Sequence, residues 1–343
     1  MKPFNFKFST TSVDYYFDVS FSQLNTLVDK KKTIVLTDRN VFEAHQEKFI
    51  GWELIVIEPG EEHKIQSTVD EVIRLMIEME ADRSTTLVGV GGGVITDLAG
   101  YIASVFMRGI SFGFVPTTLL GMVDASVGGK NGIDVGVYKN MVGVIRQPKF
   151  LFYDYSFLAT LPELVWSDGF AEIIKHACIK DAVAFKQLEK EDIDSIRNQS
   201  NVLGALVQRN VLLKTKVVQN DEFEKGERKL LNFGHTLGHA IETQYALTHG
   251  QAVAIGMSYA LKLSEQITGF QDSEKVRTVI KQYRLPINGD FDVKKVLDIL
   301  KMDKKRVDKN MNFILLEKIG KGIIQSIPMV QLTKMVQKIK FID

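Results

Sequence analysis

Three of the six histidines in this 343-residue chain stand close together, in the stretch from Arg228 to Gln251. His235 and His239 are four apart in a segment of helical texture, so both imidazoles project from one face. His249 follows a short polar break and precedes an apolar run of small residues, Ala252 to Met257. Imidazole nitrogens plus a carboxylate are common ligands of a catalytic zinc, which keeps one coordination position open. Two helical histidines and a third on the next turn or helix match such a donor set, with one left over as a proton carrier. A lone His-x-x-x-His pair more often holds no metal. Gly234 and Gly238, each directly before a histidine, change that balance. Glycine costs a helix about 1 kcal/mol relative to alanine, so a pair of them points to something approaching the backbone closely. Position 236 is Thr, which removes the glutamate of a metallopeptidase His-Glu-x-x-His and sets a peptidase aside.

Such a cluster needs elements to hold it, and composition bounds what they are. A length of 343 residues suits two domains. The 43 Lys and Arg nearly balance the 42 Asp and Glu, so there is no strong field for nucleic acid or an anionic membrane. The single cysteine, Cys178, excludes an internal disulfide and fits a reducing cytoplasm. The first residues lack a signal-peptide apolar core, and no run approaches the ~20 apolar residues that span a bilayer. The expectation is a soluble cytoplasmic protein.

Up to about residue 155 strands and helices alternate, which predicts a doubly wound parallel sheet. Residues 13–19, Thr33 to Thr37, Glu53 to Ile57, Thr85 to Val90 and Phe112 to Val115 read as strands, and Phe21 to Lys30 as a short helix. A further helix runs to Glu80 with Ser67 as its cap. Asp38 and Asn40 follow the strand at Thr33 to Thr37, at the carboxyl end where open α/β sheets bind ligands. Gly89-Val-Gly-Gly-Gly-Val-Ile-Thr-Asp97 joins a strand to a helix that opens near Val94. Glycines there let backbone N–H groups meet phosphate, assisted by the helix dipole. The spacing is not a regular Rossmann fingerprint, so nucleotide binding and a tight structural turn are equally good accounts. Asp124 to Asn140 is polar and glycine-rich, with Asn131-Gly132 a hairpin-turn signal. Lys130 and Lys139 lie there among small residues that offer little to pair with except a bound anion.

Beyond about 155 the texture becomes mainly helical, giving domains 1–155 and 156–343. Helices are expected over 181–220, 253–266, 273–283, 292–300 and from Val330 to Ile342, and a strand from Phe313 to Gly320. Glu172 and Lys175 are three apart and share a helix face flanked by apolar residues, so an inward-facing carboxylate competes with a surface ion pair. Lys301 to Arg306 reads as a solvated basic turn.

In order along the chain, Pro59 to Lys64, Gly91 to Gly100, Arg108-Gly109, Pro116 to Leu119, Asp124 to Asn140, Thr160-Leu161-Pro162, Ala171 to Lys175, Arg228 to Glu242, His249-Gly250 and Asp303 to Lys305 resemble the 3-dehydroquinate synthase family of the sugar-phosphate cyclases. The resemblance covers nearly the whole chain and is carried by order and spacing rather than by one motif. It implies a Rossmann-like NAD-binding α/β domain and a mainly helical domain for metal and substrate. It also implies one divalent metal (zinc or cobalt), a small anionic sugar-phosphate substrate, and a homodimer. The activity implied is conversion of 3-deoxy-D-arabino-heptulosonate 7-phosphate to 3-dehydroquinate and phosphate. That reaction runs by transient oxidation, elimination, re-reduction, ring opening and aldol closure. By the same resemblance Glu172, His235 and His249 hold the metal, and His239 is an acid/base. Arg108, Lys130 and Asn140 would bind the substrate phosphate, and Asp124, Lys175, Lys214, Arg228, Asn232 and Lys304 its carboxylate and hydroxyls. Asp38, Asn40, Glu61, Lys64, Gly92, Gly93, Asp97, Thr117, Thr118, Lys139, Thr160 and Leu161 would contact NAD. Departures from the family pattern are Thr96, Val165 and Gln251. A sister cyclase, a metal-dependent polyol or glycerol-phosphate dehydrogenase, and a non-catalytic relative are the rival readings.

Overall fold

The computed structural model describes residues 2–136, 138–300, 306–307, 310–339 and 341. The chain forms two compact units, Met1–Val165 with Gly204–Phe223, and Trp166–Leu203 with Glu224–Asp343. The division falls ten residues after the expected 155, and the segment from Gly204 returns to the first unit.

The first unit is built on strands β1 (Phe4–Lys7), β2 (Ser12–Phe17), β3 (Thr33–Asp38), β4 (Glu53–Ile57), β5 (Thr86–Gly91), β6 (Ser111–Pro116), β7 (Lys130–Val135), β8 (Tyr138–Ile145) and β9 (Phe150–Tyr153). Seven of them form one sheet in the order β1-β2-β9-β6-β5-β3-β4. All its pairings are parallel except the β1–β2 edge. The central strands are runs of Val, Leu and Ile buried on both faces, as a helix-covered parallel sheet requires. Val35, Val88, Val90, Val115, Phe150 and Phe152 form the core with Phe21, Phe49 and Phe157, each such side chain contributing about 1.5–3 kcal/mol.

Its helices are α1 (Arg39–Ala44), α2 (Gln66–Glu78) and α3 (Gly93–Val105). Ser67 lies inside α2, whose cap position is Ile65 with no side-chain cap bond. The expected helix from Phe21 is a 3-10 segment, Phe21–Thr26. α3 lies tight against β5: a Cβ at Gly89 would stand 2.8 Å from the Ala99 Cβ, and one at Gly91 2.5 Å from that of Ile95. Two glycines of the rich turn therefore serve packing. Asn131-Gly132 is not a turn; both residues lie within β7, where Gly132 pairs with Gly143 of β8. A Cβ at Gly132 would come 2.7 Å from the Val142 carbonyl oxygen, so the glycine answers a cross-strand approach.

The helices that follow are α4 (Glu163–Lys180), α5 (Ala182–Leu188), α6 (Ile193–Arg197), α7 (Ser200–Asn220), α8 (His235–Glu242), α9 (His249–Thr268), α10 (Ser273–Gln282), α11 (Val293–Leu300) and α12 (Met329–Lys338). The region 181–220, expected to be helical, is divided into three helices, α5 to α7. A three-stranded antiparallel sheet of β10 (Arg306–Val307), β11 (Asn310–Lys318) and β12 (Lys321–Pro328) completes the second unit, of which only β11 was expected. Ser264 and Thr268 of α9 tie to Leu316 of β11 by its N–H (3.0 Å) and carbonyl (2.6 Å). Of the solvated basic turn expected over Lys301 to Arg306, residues 301–305 lie outside the described residues and Arg306 begins β10. No described helix is long and apolar enough to cross a membrane. Cys178 is fully buried in α4, and burial pushes its thiol far above the ordinary range. A thiol reagent is expected to label native protein negligibly and to label it stoichiometrically in denaturant; rapid native labelling would contradict this packing.

Candidate metal and substrate site

Glycines set the geometry of the histidine cluster. Gly234, at φ +79°, starts α8 in the left-handed region that glycine tolerates. A Cβ there would meet the Val253 carbonyl oxygen at 2.7 Å, and one at Gly238 the Ala252 carbonyl oxygen at 2.9 Å. What approaches these glycines is the backbone of α9. Any side chain at Gly256 would overlap the Gly234 carbonyl from the other side. Thr248 caps α9 with a capping box closed by Gln251. The Thr248 hydroxyl also bonds Asp168 of α4, whose backbone leaves no space for a side chain at Gly250.

His235 and His249 thereby become the first residues of α8 and α9, both facing α4. Glu172 is fully buried, with Oε1 3.4 Å from His235 Nε2 and 3.2 Å from His249 Nε2. One donor atom from each of these three residues lies within 4.8 Å of the others. His235 Nδ1 stands 3.2 Å from the Phe233 carbonyl, which can only accept, so Nδ1 carries the proton and Nε2 keeps a lone pair for a cation. The other Glu172 oxygen pairs with Lys175, equally buried. The surface-ion-pair account of these two residues is therefore excluded.

His239 packs its ring 5.1 Å from that of His235 and 6.1 Å from that of His249. Arg228 is buried, and Asn232 donates to Glu224 and to the Lys229 carbonyl, both within the 3-10 segment Glu227–Asn232 and its approach. Lys304 lies outside the described residues.

Glu242 is the residue that spacing alone did not single out. Its side chain is 7% exposed, with Oε2 3.6 Å from His249 Nδ1. Burial opposes charge on His249, but Glu172 and Glu242 outweigh it and push its pKa up to about 10. The ring lies between two carboxylates, one at each nitrogen. Glu242→Gln is expected to weaken divalent-metal binding about tenfold to a hundredfold, as loss of a carboxylate behind a ligating imidazole does. Competition with a chelator measures this, and an unchanged Kd would leave Glu242 a packing residue.

The first unit gathers a second set. Lys64, 4% exposed, reaches Asp97 at 2.6 Å and Asn140 Oδ1 at 2.7 Å, with Glu61 at 3.7 Å. Burial works against its charge, and Asp97 and Glu61 prevail, raising its pKa. Lys139 also has an acidic neighbour, Glu61 at 3.8 Å, so a bound anion is not needed to explain it. Lys214 bonds the Asp124 carbonyl at 2.7 Å and its carboxylate at 2.8 Å. Gly92 caps α3 without any side-chain bond to its first turn, and Gly93 is its first residue. Thr118 accepts from the Gly121 N–H at 2.9 Å. The buried Thr117 hydroxyl has no hydrogen-bond partner among the described residues. Asp38 accepts from the Val41 N–H and so caps α1, with Asn40 exposed beside it. Thr160 bonds His45 at 2.9 Å, and Leu161 closes the 3-10 segment Tyr155–Thr160. Lys130 begins β7, and Arg108 is exposed at φ +68°. Of the departures, Thr96 bonds within α3, Gln251 closes the α9 capping box, and Val165 is half-buried in α4.

This fold is that of the sugar-phosphate cyclases. The structure of 2-epi-5-epi-valiolone synthase from Streptomyces hygroscopicus, solved with NAD+ and Zn2+, superposes with a TM-score of 0.87 at 26% identity, covering 97% of this chain and 98% of that one. A 2-deoxy-scyllo-inosose synthase complexed with carbaglucose-6-phosphate, NAD+ and Co2+ gives 0.86 at 24% identity, over 98% and 100%. The N-terminal part of the 3-dehydroquinate synthase family matches residues 54–168 and its C-terminal part residues 169–306. The 3-dehydroquinate synthase of Clostridium beijerinckii is 40% identical over 312 residues, 86% of this chain and 88% of that one. The chain belongs to the 3-dehydroquinate synthase family, and it is an enzyme.

Proposed function

We propose that the enzyme converts 3-deoxy-D-arabino-heptulosonate 7-phosphate into 3-dehydroquinate and phosphate, using NAD and one zinc or cobalt ion. The observation that carries this reading is the convergence of Glu172, His235 and His249 on one point, in a chain of this family. Two histidine nitrogens and one carboxylate suit a divalent ion with a position open for substrate. For NAD, the uncapped N-terminus of α3 suits the pyrophosphate, and the orphaned Thr117 hydroxyl at the end of β6 offers a polar contact. When bound, the metal supplies a Lewis acid for a substrate hydroxyl and NAD a reversible hydride acceptor.

The chain's own side chains orient and neutralise one anionic molecule. His239, whose ring packs beside those of His235 and His249, is the acid/base at the substrate hydroxyl. Arg108, Lys130 and Asn140 hold the phosphate as it leaves, placing fixed positive charge where negative charge develops. Asp124, Lys175, Lys214, Arg228, Asn232 and Lys304 fix the carboxylate and hydroxyls, which makes ring closure an oriented, unimolecular event. Lys175 has the further task of holding Glu172 in place. Asp38, Asn40, Glu61, Lys64, Gly92, Gly93, Asp97, Thr117, Thr118, Lys139, Thr160 and Leu161 make the NAD site. Residues 1–155 would form the NAD domain and 156–343 the metal and substrate domain; a cytoplasmic homodimer belongs to the same reading, checked by sedimentation.

The test is a substrate panel. The metal-loaded enzyme with NAD is expected to yield 3-dehydroquinate from the heptulosonate phosphate and nothing from glucose 6-phosphate or sedoheptulose 7-phosphate. Cyclisation of either of the latter, with the first inert, would replace this reading by a sister cyclase.

A further inference from the structure

The β7–β8 hairpin carries an irregularity whose geometry assigns a role to Asp134. Ile133 pairs with Val142 and Val135 with Tyr138. Between those pairs β7 has one residue, Asp134, and β8 has three, Lys139, Asn140 and Met141. The surplus is a bulge, the device by which a strand re-aims a side chain. Asn140 sits in it at φ +53°, a conformation that asparagine adopts more readily than other residues with a side chain.

Three hydrogen bonds close a ring around this bulge. The Asp134 N–H donates to the Lys64 carbonyl at 2.8 Å. Asp134 Oδ1 accepts from the Asn140 N–H at 2.6 Å. Lys64 Nζ donates to Asn140 Oδ1 at 2.7 Å. Asp134 is 7% exposed and Lys64 4%, so water competes weakly for these bonds. A lysine ammonium has three donors. With one on Asn140 and one on Asp97, rotation about the terminal bond is fixed, and so is the direction of the third.

We propose that Asp134 is a positioning residue for the reaction. By accepting from the Asn140 N–H it holds the bulge so that the Asn140 carboxamide orients Lys64, joining the phosphate-binding and NAD-binding sides into one unit. The proposal rests on the reading of Lys64 as an NAD contact and Asn140 as a phosphate contact. It needs a hydrogen-bond acceptor at 134 rather than a negative charge, so asparagine suffices there and alanine does not.

The experiment measures NAD Kd by calorimetry and the substrate KM and kcat, in the metal-loaded full-length enzyme. Asp134→Ala is expected to raise NAD Kd and substrate KM about tenfold each, with bound metal unchanged. Asp134→Asn is expected to stay within about threefold of wild type for both, since its amide oxygen still accepts the bond. Wild-type NAD Kd and KM in Asp134→Ala overturn the proposal, as does an Asp134→Asn as impaired as the alanine variant. Lys64→Met is the reference. Full NAD affinity in it removes the reading of Lys64 and the proposal together, whereas a weakened Lys64→Met beside an unaffected Asp134→Ala removes the proposal alone.

Discussion

Glu172→Gln should leave a purified enzyme with less than about a tenth of its metal and a kcat lowered roughly a thousandfold or more. Glu172 is the carboxylate that both histidine Nε2 atoms face, and the neutral amide keeps its shape while removing the charge that holds a cation. The same change removes the carboxylate that pairs with Lys175, which is 1% exposed. Breaking a buried pair from one side costs about 3–5 kcal/mol. Glu172→Gln therefore loses stability as well as metal. His235→Ala leaves the Glu172–Lys175 pair intact and loses metal with the fold largely preserved. The double variant Glu172→Gln with Lys175→Met separates the two effects: stability recovers and metal binding does not. Metal content and turnover near wild type in Glu172→Gln would refute the assignment of the ligand.

The second large effect comes from a residue that touches no ligand. Gly256→Ala forces a methyl group into the Gly234 carbonyl oxygen, backbone against backbone, with the Gly238 nitrogen 2.8 Å away. Neither atom can yield by a side-chain rotation, so α8 and α9 must separate. Overpacking costs about 1–3 kcal/mol or more, and here the strain moves His235 away from His249. A fall in melting temperature of several degrees, roughly 2–4 °C per kcal/mol for a unit of this size, is expected together with weaker metal binding. Gly269→Ala is the control. Gly269 has positive φ (+72°), which Gly256 does not, and open space around it, so its replacement costs about 1–2 kcal/mol and leaves metal affinity alone. Equal metal affinity in Gly256→Ala and wild type would contradict the account of how the helices set the cluster.

The glycines around the histidine cluster show where the sequence was legible and where it was not. Central strands such as Thr33–Asp38 and Thr86–Gly91 are short apolar runs between turn residues, and the pattern exposes them directly. The four-residue spacing of His235 and His239 likewise places both on one helical face. Glycine's purpose is not written in its neighbours. Gly234 and Gly238 correctly signalled a close approach, but only tertiary packing reveals that α9 is what approaches. At Asn131-Gly132 the same ambiguity led to a turn where the chain makes a strand, because cross-strand contact demands the missing side chain as strongly as a turn does. Ser67 has a good cap's chemistry, yet α2 opens before it. β12 escaped notice because Lys321-Gly-Ile-Ile-Gln-Ser lacks clean alternation, and its pairing with β11 comes from a hairpin at Gly320. Glu242 and Asp134 were invisible as functional residues for another reason: their partners, His249 and Asn140, meet them only through helix pairing and a strand bulge.

The most direct test of the central claim follows phosphate release from 3-deoxy-D-arabino-heptulosonate 7-phosphate while recording NADH absorbance. Release should require both NAD and the divalent metal, with no NADH accumulating, because the oxidation is reversed within each turnover. Phosphate release without either cofactor, or steady growth of NADH, would contradict it.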